Sequence, residues 1–159
     1  MSNDPRIRAG RIADLDALAR MWKELAEFHL ELGGPEHRLA RGLKAEWRRF
    51  VRGHIGRTDR LCLVAEIDGE AVGFLLAAIL TRPKVFERRP YGHIYDAFVD
   101  ATHRNRRVGE ALVNTALEWC RARRVDRVEL YTHARNDLGM RFWQRMGFET
   151  TVHILDRPI

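Results

Sequence analysis

Four stretches of the chain carry apolar residues at helical spacing and six carry them at strand spacing. A short strand is predicted at residues 7–10. Leu15, Leu18, Trp22, Leu25 and Leu32 then fall on one face of a helix. Asp14 stands where its cap belongs, and Gly33-Gly34-Pro35 ends it. A second helix runs through Leu39, Leu43, Trp47 and Phe50, followed by a break over residues 53–60. The period changes in the middle of the chain. Leu61, Leu63, Ala65 and Ile67 alternate, Asp68-Gly69 supplies a tight turn, and residues 71–80 make the return strand. Residues 81–90 form a polar, basic loop, and residues 91–99 a further strand. A helix over residues 109–123 carries Leu112, Ala116 and Cys120 on one side. Val128 and Leu130 mark a strand, residues 138–146 a short helix, and Phe148, Val152 and Ile154 a last extended segment.

A hairpin is antiparallel, whereas the strand-helix-strand crossovers near the end require parallel pairing. The expectation is an α/β fold, one domain over residues 1–159, with a mixed, mostly antiparallel central sheet and helices on both faces. A chain of 159 residues, 45% hydrophobic and 31% charged, suits that. The formal charge of +6 is mostly arginine, which favours forked contacts to phosphate or carboxylate. It fits nucleic acid, an anionic surface or a polyphosphate ligand equally. Cys62 and Cys120 read as buried free thiols, and no secreted disulfide scaffold is indicated. The first residues lack an apolar signal segment, and no stretch reaches the length of a membrane span, so a soluble cytoplasmic protein is expected.

Chemistry concentrates in Val99-Asp100-Ala101-Thr102-His103-Arg104-Asn105-Arg106-Arg107-Val108-Gly109-Glu110-Ala111-Leu112, a strand running through an arginine-rich turn into a helix. Unpaired N–H groups at a helix start point at whatever lies on its axis, and arginines add charge-assisted donors. The arrangement suits a pyrophosphate; a solvated basic turn is the plainer alternative. It is neither a nucleoside-triphosphate loop nor a dinucleotide fingerprint, since it has one glycine and no Lys-Ser/Thr pair. Downstream, Asn136-Asp137-Leu138-Gly139-Met140-Arg141-Phe142-Trp143-Gln144-Arg145-Met146-Gly147-Phe148 forms a second motif, with Gly147 placed as a helix C-cap.

Together, at this separation and on these elements, the two motifs resemble those of the GCN5-related N-acetyltransferases, over nearly all of the chain. The family signature is Arg/Gln-x-x-Gly-x-Gly/Ala. It fits formally from Arg106 to Ala111; the register from Arg104 to Gly109 keeps the family spacing to Leu112 and is preferred, with Arg107 where glycine is expected. Arg107 is then expected in a helical conformation with its side chain outward. The resemblance implies an acyl-CoA N-acyltransferase-like fold and acetyl-CoA as co-substrate. It implies cofactor contacts from Phe98, Val99, Arg104, Asn105, Arg106, Arg107, Val108, Gly109 and Glu110, and from Asn136 and Phe142.

The family's general acid is the tyrosine of a Phe-Tyr pair, and this chain has Phe142-Trp143. Indole N–H donates but does not titrate, so Trp143 cannot protonate a thiolate as tyrosine does. For the base, the fourth strand offers His93 and Tyr95 on one face and Asp96 on the other by the two-residue period. Tyr131, on the fifth strand, and His133 on the same face are further candidates. The resemblance places the acceptor among Trp22, Phe28, His29 and Glu31, with Trp47 and the Arg82-to-Arg89 loop; Trp22 and Trp47 read equally as core. Direct acetyl transfer to a small-molecule amine is the expected activity. A catalytically weak acyl-CoA-binding or regulatory protein is the alternative on the same fold, and a nucleic-acid-binding module the alternative from charge. Nucleic acid, membrane and metal are not expected as partners; the resemblance allows a homodimer, for which the residues themselves give no direct warrant.

Overall fold

The computed structural model describes residues 4–33, 42–85, 87, 89–104, 106–155, 157 and 159. Gly34, Pro35, Leu39 and Asn105, and Arg88 of the Arg82-to-Arg89 loop, lie outside the described residues. The elements are β1 (Arg6–Ala9), α1 (Leu15–Gly33), α2 (Leu43–Arg52), β2 (Arg60–Ile67), β3 (Glu70–Thr81), β4 (Pro90–Val99), α3 (Val108–Ala122), β5 (Val128–Leu130) and α4 (Asp137–Arg145). The strands form one sheet in sequence order. β1 to β4 pair antiparallel, and β5 joins β4 in parallel after the α3 crossover. The mixed, mostly antiparallel sheet expected from the pattern is the sheet observed.

Alternation along the strands sorts their side chains into two layers. Cys62, Val64, Phe74, Leu76 and Phe98 face α1 and α2, packing on Leu18, Met21, Trp47 and Val51. Leu63, Ala65, Leu75, Ala77 and Ile94 face the other way, onto Val108, Leu112, Val113 and Ala116 of α3. Burying Phe74 completely contributes about 2–3 kcal/mol by transfer alone, and Phe74→Ala costs about 3–5 kcal/mol once its cavity is counted. Among the described residues, no helix is long and apolar enough to cross a membrane.

Three expectations are corrected. Asp14 does not cap α1; its carboxylate turns back to accept from the Arg11 N–H at 2.7 Å and from both terminal nitrogens of Arg8 at 2.8 and 2.9 Å. Arg8 also donates to Glu66 at 2.8 Å, so one guanidinium ties β1, the turn before α1 and β2 together. The last extended segment forms no strand among the described residues. Val152, Ile154 and Leu155 stay exposed, with no described strand paired to them.

The third concerns β4. Leu76 of β3 pairs with Asp96, but its neighbour Ala77 pairs with Ile94. Tyr95 is therefore an extra residue, a β-bulge, which shifts the alternation by one. His93 and Asp96, expected on opposite faces, both face the α1/α2 layer. Tyr95 joins them there, packed edge-on against Phe50 and His54.

Candidate active site

β5 is three residues long and pairs only with Gly92, His93 and Ile94. Beyond Ile94, the outer edge of Tyr95–Val99 has no strand beside it among the described residues. The gap opens a cavity of about 920 Å³ through the sheet, bounded by α1 on one side and by the starts of α3 and α4 on the other.

On the α3 side, Arg104, Arg107, Val108, Gly109 and Glu110 line the cavity. The first amides of α3 have no partner within the helix, so they and the two guanidinium groups make this wall electropositive. Arg107 does not take the helical conformation expected of it. Its φ of 58° and ψ of 13° are left-handed, so the preferred register puts an arginine where the backbone itself asks for glycine. Arg106 is exposed and outside the lining, because the turn directs it away. Asn136 caps α4, its Oδ1 accepting from the Gly139 N–H at 2.8 Å, and also borders the cavity. Phe142 packs over Gly109, where a Cβ would come within 3.2 Å of its ring. Trp143 lines the cavity and packs between Phe142 and Phe148.

On the α1 side, Phe28 and His29 line the cavity with Tyr95, Asp96 and Phe98, and Val99 continues the free edge. Asp96 lies at the bulge and lines the cavity. Burial pushes its carboxyl up to about 6, and the nearby Trp47 indole offsets part of that rise. That indole N–H is buried with no hydrogen bond of ordinary geometry. His93 does not line the cavity; it is buried between the rings of Tyr95 and Tyr131, and burial lowers its pKa. Tyr131 sits on the rim, 73% exposed and one residue past the end of β5 rather than within it. His133, also beyond the strand, accepts from the Arg135 N–H through Nδ1.

Trp22 and Glu31 do not reach the cavity. Trp22 stacks on Trp47 with ring centroids 5.0 Å apart, as core, and Glu31 is exposed on the outer face of α1. Trp47 is core as well. Arg82 is drawn away from the cavity by its ion pair with Glu129 and by the Tyr91 ring beneath it. Glu24, Leu25, Thr132, Leu138, Arg145 and Met146 line the cavity without having been singled out from the sequence. Leu25 was detectable, since it shares a helix face with Phe28 and His29 at three- and four-residue steps. Thr132 carries no such signal, although its Oγ1 is buried without a partner.

A mixed sheet split at its fourth and fifth strands, with a helix start at the mouth of the split, is the acyl-CoA N-acyltransferase-like fold. The chain belongs to the acetyltransferase (GNAT) family, whose model matches residues 18–148. It is 33% identical over 107 residues to an uncharacterized N-acetyltransferase of Methanocaldococcus jannaschii, covering 67% of this chain and 47% of that protein. It is 36% identical over 88 residues to the L-amino acid N-acetyltransferase AaaT of Escherichia coli, covering 55% of this chain and 52% of that one. The chain thus spans about half the length of these curated relatives. An aminoglycoside N-acetyltransferase in complex with CoA shares the fold, with a TM-score of 0.78 at 19% identity, over 100% of this chain and 97% of that one.

Proposed function

We propose that the chain transfers an acetyl group from acetyl-CoA to the amine of a small molecule, directly, within a ternary complex. The observation that carries this reading is the free edge of β4, Tyr95–Val99, beside a cavity whose far wall is a helix start flanked by Arg104 and Arg107. The named activities of the E. coli relative and of the CoA-bound neighbour, both on small amines, support it.

The residues present fit acetyl-CoA. The amides at the start of α3, with Arg104 and Arg107, suit its phosphates. The unpaired edge of β4 offers backbone donors and acceptors for the extended pantetheine arm and for the carbonyl oxygen as charge develops on it. Bound acetyl-CoA supplies a thioester carbon as electrophile and a thiolate as leaving group. Asp96 receives the amine proton, its carboxyl raised towards the range useful near neutral pH. The new C–N bond forms as the C–S bond breaks, with the electron pair leaving on sulfur. Trp143 supplies no proton for that sulfur, so solvent does.

The test is thiol release from acetyl-CoA in the presence of an amine panel, with Asp96→Asn alongside. Turnover should fall about 10²–10⁴-fold in the variant while acetyl-CoA affinity is unchanged. Undiminished turnover in Asp96→Asn contradicts the assigned base, and no thiol release with any amine contradicts the transferase reading.

Homodimerisation is supported by the outer edge of β5, unpaired among the described residues, and by exposed Val152 and Ile154, which alternate as a strand does. Sedimentation velocity should show a dimer that Val152→Asp with Ile154→Asp dissociates; a monomeric wild type contradicts it.

A further inference from the structure

Trp47 Nε1, His54 Nε2 and Thr132 Oγ1 are buried without a hydrogen-bond partner among the described residues. Of the three residues, Thr132 alone lines the cavity. A buried hydroxyl without a partner is destabilising, and such groups are rare in folded proteins. Its place in the fold supplies a reason for this one. Leu130, the last residue of β5, pairs with Ile94 in parallel, and the same register carried two residues on sets Thr132 level with Asp96 across the split. The Tyr131 ring packs against His93, on the α1/α2 side. Alternation then returns Thr132 to the side of Leu130, where Phe142 and Trp143 pack. The residue is only partly buried, although its oxygen is fully so. One staggered step about χ1 exchanges its methyl and hydroxyl groups, and this breaks no hydrogen bond, because Oγ1 makes none among the described residues.

Resting on the transferase reading above, we propose that Thr132 is the hydrogen-bond donor to the thioester sulfur of acetyl-CoA. Its hydroxyl meets that sulfur as the C–S bond breaks and the electron pair leaves with it. Thr132 stands on the α3 and α4 side, whose helix start suits the phosphates, whereas Asp96 faces α1. The amine proton passes to Asp96 and then to solvent, and solvent protonates the sulfur. Thr132 keeps its own proton, since an aliphatic hydroxyl does not ionise near neutral pH. It holds the charge on sulfur by a charge-assisted hydrogen bond until the solvent proton arrives.

The experiment uses the full chain as wild type, Thr132→Val and Thr132→Ser. Calorimetry at alkaline pH, where the thiol is ionised, measures binding of CoA and of desulfo-CoA, which lacks the sulfur. Ultraviolet difference spectra follow ionisation of the bound thiol. Thr132→Val keeps the side-chain shape and removes only the hydroxyl. It should lower the preference for CoA over desulfo-CoA about tenfold and raise the apparent pKa of the bound thiol by about one unit. Its kcat should fall about ten- to a hundredfold with the amine KM unchanged, and Thr132→Ser should restore all three quantities. Because Oγ1 has no described partner to lose, Thr132→Val should unfold at no lower urea concentration than the wild type. Equal preference for CoA in wild type and Thr132→Val overturns the assignment, whatever happens to turnover. So does a Thr132→Ser variant that behaves as the valine variant does. Failure of the wild type to bind acetyl-CoA or CoA overturns the transferase reading itself, and the assignment with it.

Discussion

Arg107 and Asp96 are each held in a state that costs stability. A left-handed backbone costs a non-glycine residue about 1–2 kcal/mol through the clash of Cβ with the following carbonyl. Arg107→Gly should therefore raise stability by about 0.5–1 kcal/mol, the relief being reduced by glycine's greater freedom when unfolded. The same change should weaken acetyl-CoA binding, because it removes a guanidinium from the cavity wall. Arg107→Ala should weaken binding without the gain in stability. Urea unfolding and calorimetry on both variants separate the two effects. Asp96 is the converse of a salt-bridged carboxylate, since its native pKa of about 6 lies above the unfolded value. The stability that its proton contributes is present below about pH 4 and is lost as pH rises through about 6. At pH 8, Asp96→Asn should be more stable than the wild type by on the order of 1–3 kcal/mol, and the gain should vanish near pH 4. Neither feature could be read from residue types. The sign of φ at Arg107 follows from how the turn closes onto α3, and the carboxyl's environment from how deep the bulge sets it.

α4 shows how much an element owes to its first turn. Asn136 Oδ1 accepts from the Gly139 N–H, and a Cβ on Gly139 would come within 2.4 Å of the Asn136 side chain. Gly139→Ala, which favours a helix by propensity, should therefore destabilise α4, by about as much as Asn136→Ala, roughly 1 kcal/mol. The double variant should cost little more than either alone, and thermal unfolding of the three checks this. The far end of α4 was foreseeable. Gly147, with φ of 86°, and Phe148 close the helix through hydrogen bonds to Gln144 and Trp143, and Phe148 packs on Trp143. β4 was only half foreseeable. Alternation places the strand, but an inserted residue leaves composition and period unchanged locally, so the two-residue rule sent Asp96 to the wrong face. Tyr95 adds the one residue that brings Asp96 round beside His93. The last extended segment failed for a related reason, since alternation at Val152 and Ile154 shows what a strand needs but not whether an edge stands beside it.

For the whole molecule, the order of helical and strand periods was enough to give a sheet covered on both faces and a parallel crossover at its end. The cavity was not visible at that level, because it arises from a strand that is too short. Three residues of β5 leave five of β4 bare, and the chain must bring α1 across to enclose them. A buried aromatic cluster behind this edge contributes to the response to acid in the opposite sense to Asp96. His54 is almost fully buried, its Nδ1 2.9 Å from the Phe50 carbonyl and its Nε2 without a partner, and burial lowers its pKa as it does that of His93. Unfolded histidine takes a proton near 6.5, whereas these two take theirs only at lower pH. The unfolded chain binds more protons there, so stability held above about pH 6.5 is lost as pH falls through the depressed native values. Asp96 adds stability over the same range as pH falls, so the histidine contribution is read in Asp96→Asn. There urea midpoints should drop between pH 7 and pH 5, and adding His54→Phe, which keeps a ring against Phe50 and Tyr95, should flatten that slope.

Calorimetric titration with acetyl-CoA probes the cavity most directly, using the wild type, Arg104→Ala with Arg107→Ala, and Arg106→Ala as a control just outside the lining. Micromolar binding to the wild type and to Arg106→Ala, weakened at least about tenfold in the double variant, is the predicted result. Absence of heat with the wild type, or binding that depends on Arg106 and not on Arg104 and Arg107, would contradict it.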